Sequence, residues 1–171
     1  MTKDRFWEII NNSGKGKNLA NELDKLSEDE IFGYRYWWDY FHRQSYNQAL
    51  WAAAYIVMGG CSDDSFDYFR FWLITRGEVV YMNAIQDADS LCGEFEIMTD
   101  GEYPIWEEAD YIPAEVFERK FNKDFYEEED NIDYGDMSLP EIKFEWEEDN
   151  EESIRKICPK TFDKWWDNDK F

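Results

Sequence analysis

The chain has 171 residues with 40 acidic and 18 basic side chains, a net charge of −22, and it carries 9 Trp, 11 Tyr and 13 Phe. So many rings supply more buriable area than a disordered chain contains, and the length suits one globular domain over residues 1–171. No stretch approaches the ~18 uninterrupted apolar residues of a membrane span, and so acidic a chain has the wrong sign for direct binding to a nucleic-acid backbone.

Met1–Trp7 turns amphipathic at once and lacks the apolar run of a secretory signal, which points to the cytoplasm. All four prolines, Pro104, Pro113, Pro140 and Pro159, fall after residue 103, so the first hundred residues are free to run as successive helices. A first helix covers residues 3–12 and ends in the Ser13-Gly14-Lys15-Gly16-Lys17 turn. That turn follows no strand and lacks the P-loop frame, so nothing in the sequence marks it as a phosphate cradle. A second helix carries Leu19, Leu23 and Leu26 on one stripe. Ser27 with Glu30 three residues on forms a capping box that starts a third, through Ile31, Tyr34, Trp38 and Phe41.

Leu50, Ala53, Ala54 and Val57 define a fourth helix from Tyr46 to Met58, closed by Gly59-Gly60. The fifth starts at Ser62-Asp63-Asp64, where an N-cap hydroxyl and two carboxylates meet the positive end of the helix dipole. It ends near Arg76-Gly77. A sixth spans residues 78–86, and Asp87-Ala88-Asp89-Ser90-Leu91 reads as a turn capping a further short helix. Pro113 suits the first position of a helix bearing Val116, Phe117 and Phe121. Glu141–Glu147 alternates with period two, as a strand does, with Phe95–Met98 as its one fair partner. From Pro159, Phe162, Trp165 and Trp166 recur at helical spacing. The expected fold is mainly α: a compact multi-helix domain with a minor β-hairpin in the acidic C-terminal third. The pairs Trp37-Trp38 and Trp165-Trp166 each send adjacent rings to different faces, so one of each pair is expected at the surface.

The charge is unevenly placed. Residues 94–152 hold 23 acids and 4 bases. The runs Glu127, Glu128, Glu129, Asp130 and Glu147, Glu148, Asp149, Glu151, Glu152 repel themselves into solvent, while interleaved rings such as Phe125, Phe144 and Trp146 dock the segment onto the fold. Asp130–Glu141 places an acid, a glycine and a glutamate where a calcium loop has them. Ile132 and Tyr134, however, occupy places that such a loop gives to carboxylates. Cys61, Cys92 and Cys158 are odd in number and widely spaced, so they read as free thiols rather than as a disulfide framework or metal clamp. No cofactor or metal is implied. The lone histidine, His42, sits at a helix C-terminus, where a cation favours the dipole.

The densest polar cluster is Asp63, Asp64, Asp67 and Arg70, with Asp87 and Asp89 as residues that could fold back beside it. Paired carboxylates next to an arginine could bind a metal or perform acid–base work. Helix capping by Asp63 and Asp64, with an i, i+3 ion pair between Asp67 and Arg70, accounts for the same residues structurally.

Phe6-Trp7-Glu8-Ile9-Ile10, Leu50–Tyr55, the run Gly59-Gly60-Cys61-Ser62-Asp63-Asp64-Ser65-Phe66-Asp67-Tyr68-Phe69-Arg70-Phe71-Trp72-Leu73-Ile74-Thr75-Arg76-Gly77 and Asp87–Leu91 together resemble the bacterial family known as domain of unknown function 4240. The resemblance covers about residues 4–125, with Ala88 standing where the family usually has proline. It implies a bacterial, mostly helical domain and no particular reaction. It also divides the chain into a family-like helical core at 1–125, an acidic elaboration at 126–152 and a C-terminal helix at 153–171. Two functions follow as expectations. One is a non-enzymatic interaction protein, immunity- or inhibitor-like or regulatory, that presents its acids to a basic protein partner. The alternative is a hydrolytic or metal-dependent site built on Asp63, Asp64, Asp67 and Arg70.

Overall fold

The computed structural model describes residues 1–168. Among them run eleven α-helices and no strand: α1 Lys3–Asn12, α2 Leu19–Leu23, α3 Glu28–Gln44, α4 Gln48–Met58, α5 Asp63–Thr75, α6 Glu78–Gln86, α7 Cys92–Glu96, α8 Ile112–Phe121, α9 Phe125–Glu129, α10 Glu151–Ile157 and α11 Pro159–Trp165. Two short 3-10 turns lie at Ala88–Leu91 and Glu107–Asp110. No helix among the described residues is long and apolar enough to cross a membrane.

The helix boundaries follow local chemistry. The hydroxyl of Ser27 accepts the Glu30 N–H and the Glu30 carboxylate accepts the Ser27 N–H, completing the capping box that starts α3. Ser62 accepts the Ser65 N–H at the head of α5. Gly59 closes α4 at φ +65°, a left-handed conformation that a side chain disfavours.

The longest helix, α3, is the axis of the core. Its buried stripe of Ile31, Tyr34, Trp38 and Phe41 meets Phe6 and Trp7 of α1 and Tyr81 of α6. Ring centres are 4.5 Å apart for Trp7 and Phe41, 5.1 Å for Phe6 and Tyr34, and 5.3 Å for Trp7 and Tyr81. Burying each phenyl-sized side chain contributes about 1.5–3 kcal/mol. The Tyr81 hydroxyl is satisfied inside the core by donating to the Phe41 carbonyl at 2.6 Å, so the ring is buried without an unpaired polar tip.

Three expectations are corrected. The hairpin does not form: Phe95 is a buried residue of α7, and Glu141–Glu147 lies as irregular backbone over α4. There its period-two pattern serves side-chain docking rather than a ladder, with Trp146 buried and the Trp146 indole N–H donating to the Gln48 carbonyl. Neither Trp pair exposes a ring. Trp38 and Trp165 are buried, while Trp37 and Trp166 are half-buried, stacked on Phe41 and Phe162. The single closing helix is two, α10 and α11. Pro159 supplies no N–H and holds Cys158 out of helical geometry, at φ −131° and ψ 71°. Residues 169–171 of that expected helix lie outside the described residues.

Asp89 holds α11 in place. It is 4% exposed, and its two carboxylate oxygens accept the backbone N–H groups of Lys160 and Thr161 at 3.0 and 2.7 Å. This is a cap supplied by a residue seventy positions away in the chain rather than by the helix itself. Replacing Asp89 with Ala is expected to lower unfolding free energy by about 2 kcal/mol, since charge-assisted bonds at a helix N-terminus are lost, with Asn recovering part of it. Urea denaturation followed by Trp fluorescence measures the effect.

Candidate functional site

Asp63 and Asp64 occupy the first turn of α5, exposed to solvent, where they complement the helix dipole. One turn on, Asp67 pairs with Arg70. Arg70 is wholly buried, lies over the rings of Tyr46 and Phe66 at 4.9 and 5.0 Å, and donates to the His42 carbonyl at 2.7 Å. Burial lowers the Arg70 pKa against the opposing pull of Asp67. The guanidinium therefore ties the end of α3 to α5 and rests on aromatic faces.

His42 is not the cation its position at a helix C-terminus suggested. Its ring stacks on Phe71 at 4.4 Å. Burial, followed by the nearby Arg70 and Arg35 charges, pushes its pKa down to about 2. It is therefore neutral, because burial and two cations together outweigh the helix dipole. Asp87 accepts the Asp89 N–H within its own 3-10 turn, and Asp89 is engaged by α11. The structure thus brings Asp67, Arg70 and His42 together, leaves Asp63 and Asp64 at the surface, and gives Asp87 and Asp89 to a different junction. Among the described residues no three His, Cys, Asp or Glu side chains gather as metal ligands do. Cys61 and Cys158 are buried thiols whose pKa burial raises to about 12, which keeps them unreactive.

The acidic elaboration is a strap laid along α3 and then α4. Phe125 stacks on Phe32 with ring centres 5.2 Å apart, and Tyr134 packs near Tyr36. Arg43 donates to the Ser138 carbonyl at 2.5 Å, and the Glu145 N–H reaches Gln48 Oε1 at 2.6 Å. Phe144 and Trp146 then close on Trp51 and Tyr55. Within the failed calcium loop, Asp133 and Asp136 accept the N–H groups of Gly135 and Ser138 and so turn the strap. Between 126 and 152, thirteen acids face one base, Lys143. Glu147, Glu148, Asp149, Glu151 and Glu152 are exposed and make no ion pair among the described residues.

The other run is less uniform. Glu127 and Asp130 are exposed, Glu128 is within 3.9 Å of Lys123, and Glu129 turns inward to Arg35 at 3.5 Å. Arg35 also meets Asp39 at 3.0 Å and Asp110 at 2.7 Å, and the Trp38 indole N–H donates to the same Asp110 oxygen. One cation thus joins three carboxylates under the strap. Burial, with Asp110 and Glu129 adding to it against Arg35, raises Asp39 to about 7, and burial likewise raises Glu129. Sequence reasoning missed this hub. Arg35 and Asp39 at i, i+4 beside Trp38 were a readable signal, but Asp110 and Glu129 reach them only through tertiary packing.

A model of the family described as "Protein of unknown function (DUF4240)" matches residues 1–119. No curated protein and no solved structure matches the chain.

The hub makes stability depend on pH with a stated sign. A folded-state pKa raised to about 7 from 3.8 means the native chain binds more protons than the unfolded one between those values. Stability is therefore lost as pH rises through about 4 to 7. Asp39→Asn removes that loss while Arg35 keeps two carboxylates. It is expected to be about 1–3 kcal/mol more stable than the parent at pH 8, and this advantage shrinks towards pH 4. His42 acts in the opposite direction at low pH but is common to both chains, so comparing their denaturation curves at each pH isolates Asp39.

Proposed function

The chain belongs to the DUF4240 family, whose match ends at residue 119, and we propose that the acidic strap beyond it makes this a non-enzymatic interaction protein. The partner is a basic protein, bound in an immunity- or inhibitor-like or regulatory role. The observation that carries this is the strap itself: thirteen acids against one base, held to rigid helices by Phe125, Phe144 and Trp146. Acids added for solubility alone would serve as well if interspersed with bases around the surface. Gathered on one anchored segment, they create a field that steers a cationic partner and raises its rate of capture. Prior ordering of the strap reduces the entropy lost on binding. Such a row of carboxylates imitates the phosphates of a nucleic-acid backbone, and a basic groove that binds those phosphates is the kind of surface it fits.

A hydrolytic or metal-dependent site on Asp63, Asp64, Asp67 and Arg70 has less to support it, because Asp67 and Arg70 are engaged with each other and Asp89 with α11.

Using the full chain as bait in extract of its native host, a basic protein is expected to be retained at low salt and released as salt rises. Its association rate should fall about 10-fold or more in the variant Glu147→Gln, Glu148→Gln, Asp149→Asn, Glu151→Gln, Glu152→Gln, measured by surface plasmon resonance. Capture that ignores salt, or that the neutralised variant matches, would falsify the proposal.

A further inference from the structure

A cleft of about 510 Å³ opens where the α1–α2 turn, the end of α5 and the 97–106 loop meet, a volume that suits a small organic ligand. None of its lining residues belongs to the strap, and its chemistry runs against the rest of the molecule. In a chain of net charge −22, Lys15, Lys17 and Arg76 line it together, and Trp72, Tyr103 and Trp106 supply ring surface. Of the two acids on its wall, Glu94 is paired with Lys15 at 3.1 Å, leaving Glu102. Lys17 is exposed and makes no ion pair among the described residues.

The local structure holds these groups in place. Arg76 lies 5.0 Å from the Trp72 ring centre and donates through Nη2 to the Lys15 carbonyl and the Thr75 hydroxyl, both at 3.1 Å. Its Nε is buried without a hydrogen-bond partner, and the residue as a whole lines the cleft. Lys15 has φ +60° between Gly14 and Gly16, which are also left-handed. A residue with a side chain keeps that conformation only where its surroundings impose it, and such positions concentrate at binding sites. Gly16 is required here for a second reason, since a Cβ would fall 2.1 Å from the Trp106 ring. Trp106 therefore seats directly on the lysine-bearing turn.

We infer that this cleft binds a small organic anion carrying a flat ring. Lys17, Lys15 and the Arg76 guanidinium take the phosphate or carboxylate, and the ring lies against Tyr103 and Trp106. A guanidinium and two ammonium groups fit either anion, and indole and phenol faces favour a planar partner. This site is separate from the protein-binding strap, so each can fail without the other.

Calorimetry on the full chain at low salt, with four probes, tests it: adenosine monophosphate, indole-3-acetate, adenosine and inorganic phosphate. At least one of the two ring-bearing anions is expected to bind saturably and about 10-fold or more tightly than adenosine or phosphate. Binding of the first alone assigns a phosphate ligand, and of the second alone a carboxylate. Lys17→Ala, at an exposed position that leaves the fold intact, and Tyr103→Ala should each weaken that binding by about 5-fold or more. Lys156→Ala on α10 should leave it unchanged. The inference is overturned if neither ring-bearing anion saturates, if adenosine or phosphate binds as tightly as they do, or if Lys17→Ala binds like the parent chain.

Discussion

Arg35 brings one positive charge to three carboxylates, and the course of the strap depends on that junction. Asp39 comes from the same helix, Asp110 from the 3-10 turn at 107–110, and Glu129 from α9. A guanidinium suits this role because its planar fork presents several donors in fixed directions. Trp38 ties the junction to the core through the Asp110 oxygen that its indole N–H and Arg35 share. Burial, and after it the neighbouring Asp110 and Glu129 charges, raise Asp39 to about 7 against the pull of Arg35, so the excess of negative charge at the hub is partly neutralised.

The hub works because α3 has two unlike faces. One carries Tyr34, Trp38 and Phe41 into the ring cluster with Phe6, Trp7 and Tyr81, which makes the helix rigid. The boundary of the other carries Arg35, which ion-pairs with Glu129, and Arg43, which hydrogen-bonds the Ser138 carbonyl, so the strap is held at two points on one element. Arg70 repeats the device one helix away, using a buried cation and aromatic faces to fasten the end of α3 to α5.

Charge is thereby sorted over the surface. The strap gathers thirteen carboxylates on one segment laid along α3 and α4, and the family-matched portion keeps a small ring-lined cleft where Lys15, Lys17 and Arg76 meet. No strap residue lines the cleft, so the proposed protein-binding face and the proposed small-ligand site occupy different parts of one small domain.

Much of the helical architecture was legible in the residues themselves. The capping box at Ser27 and Glu30, the Ser62 cap, Gly59 and the prolines at helix starts act within a few positions along the chain, so spacing alone reveals them. So did the ion pair of Asp67 with Arg70, and the excess of acid after residue 93. The hairpin was misread because alternation of Phe144 and Trp146 with charged residues records a buried side and a wet side, whatever covers the buried one. Tertiary structure alone decided that Glu129 turns inward to Arg35, that Asp89 caps α11 and that His42 is neutral. Each of these depends on which distant groups burial brings within a few ångströms, and on the loss of water around them, neither of which is encoded in local sequence spacing.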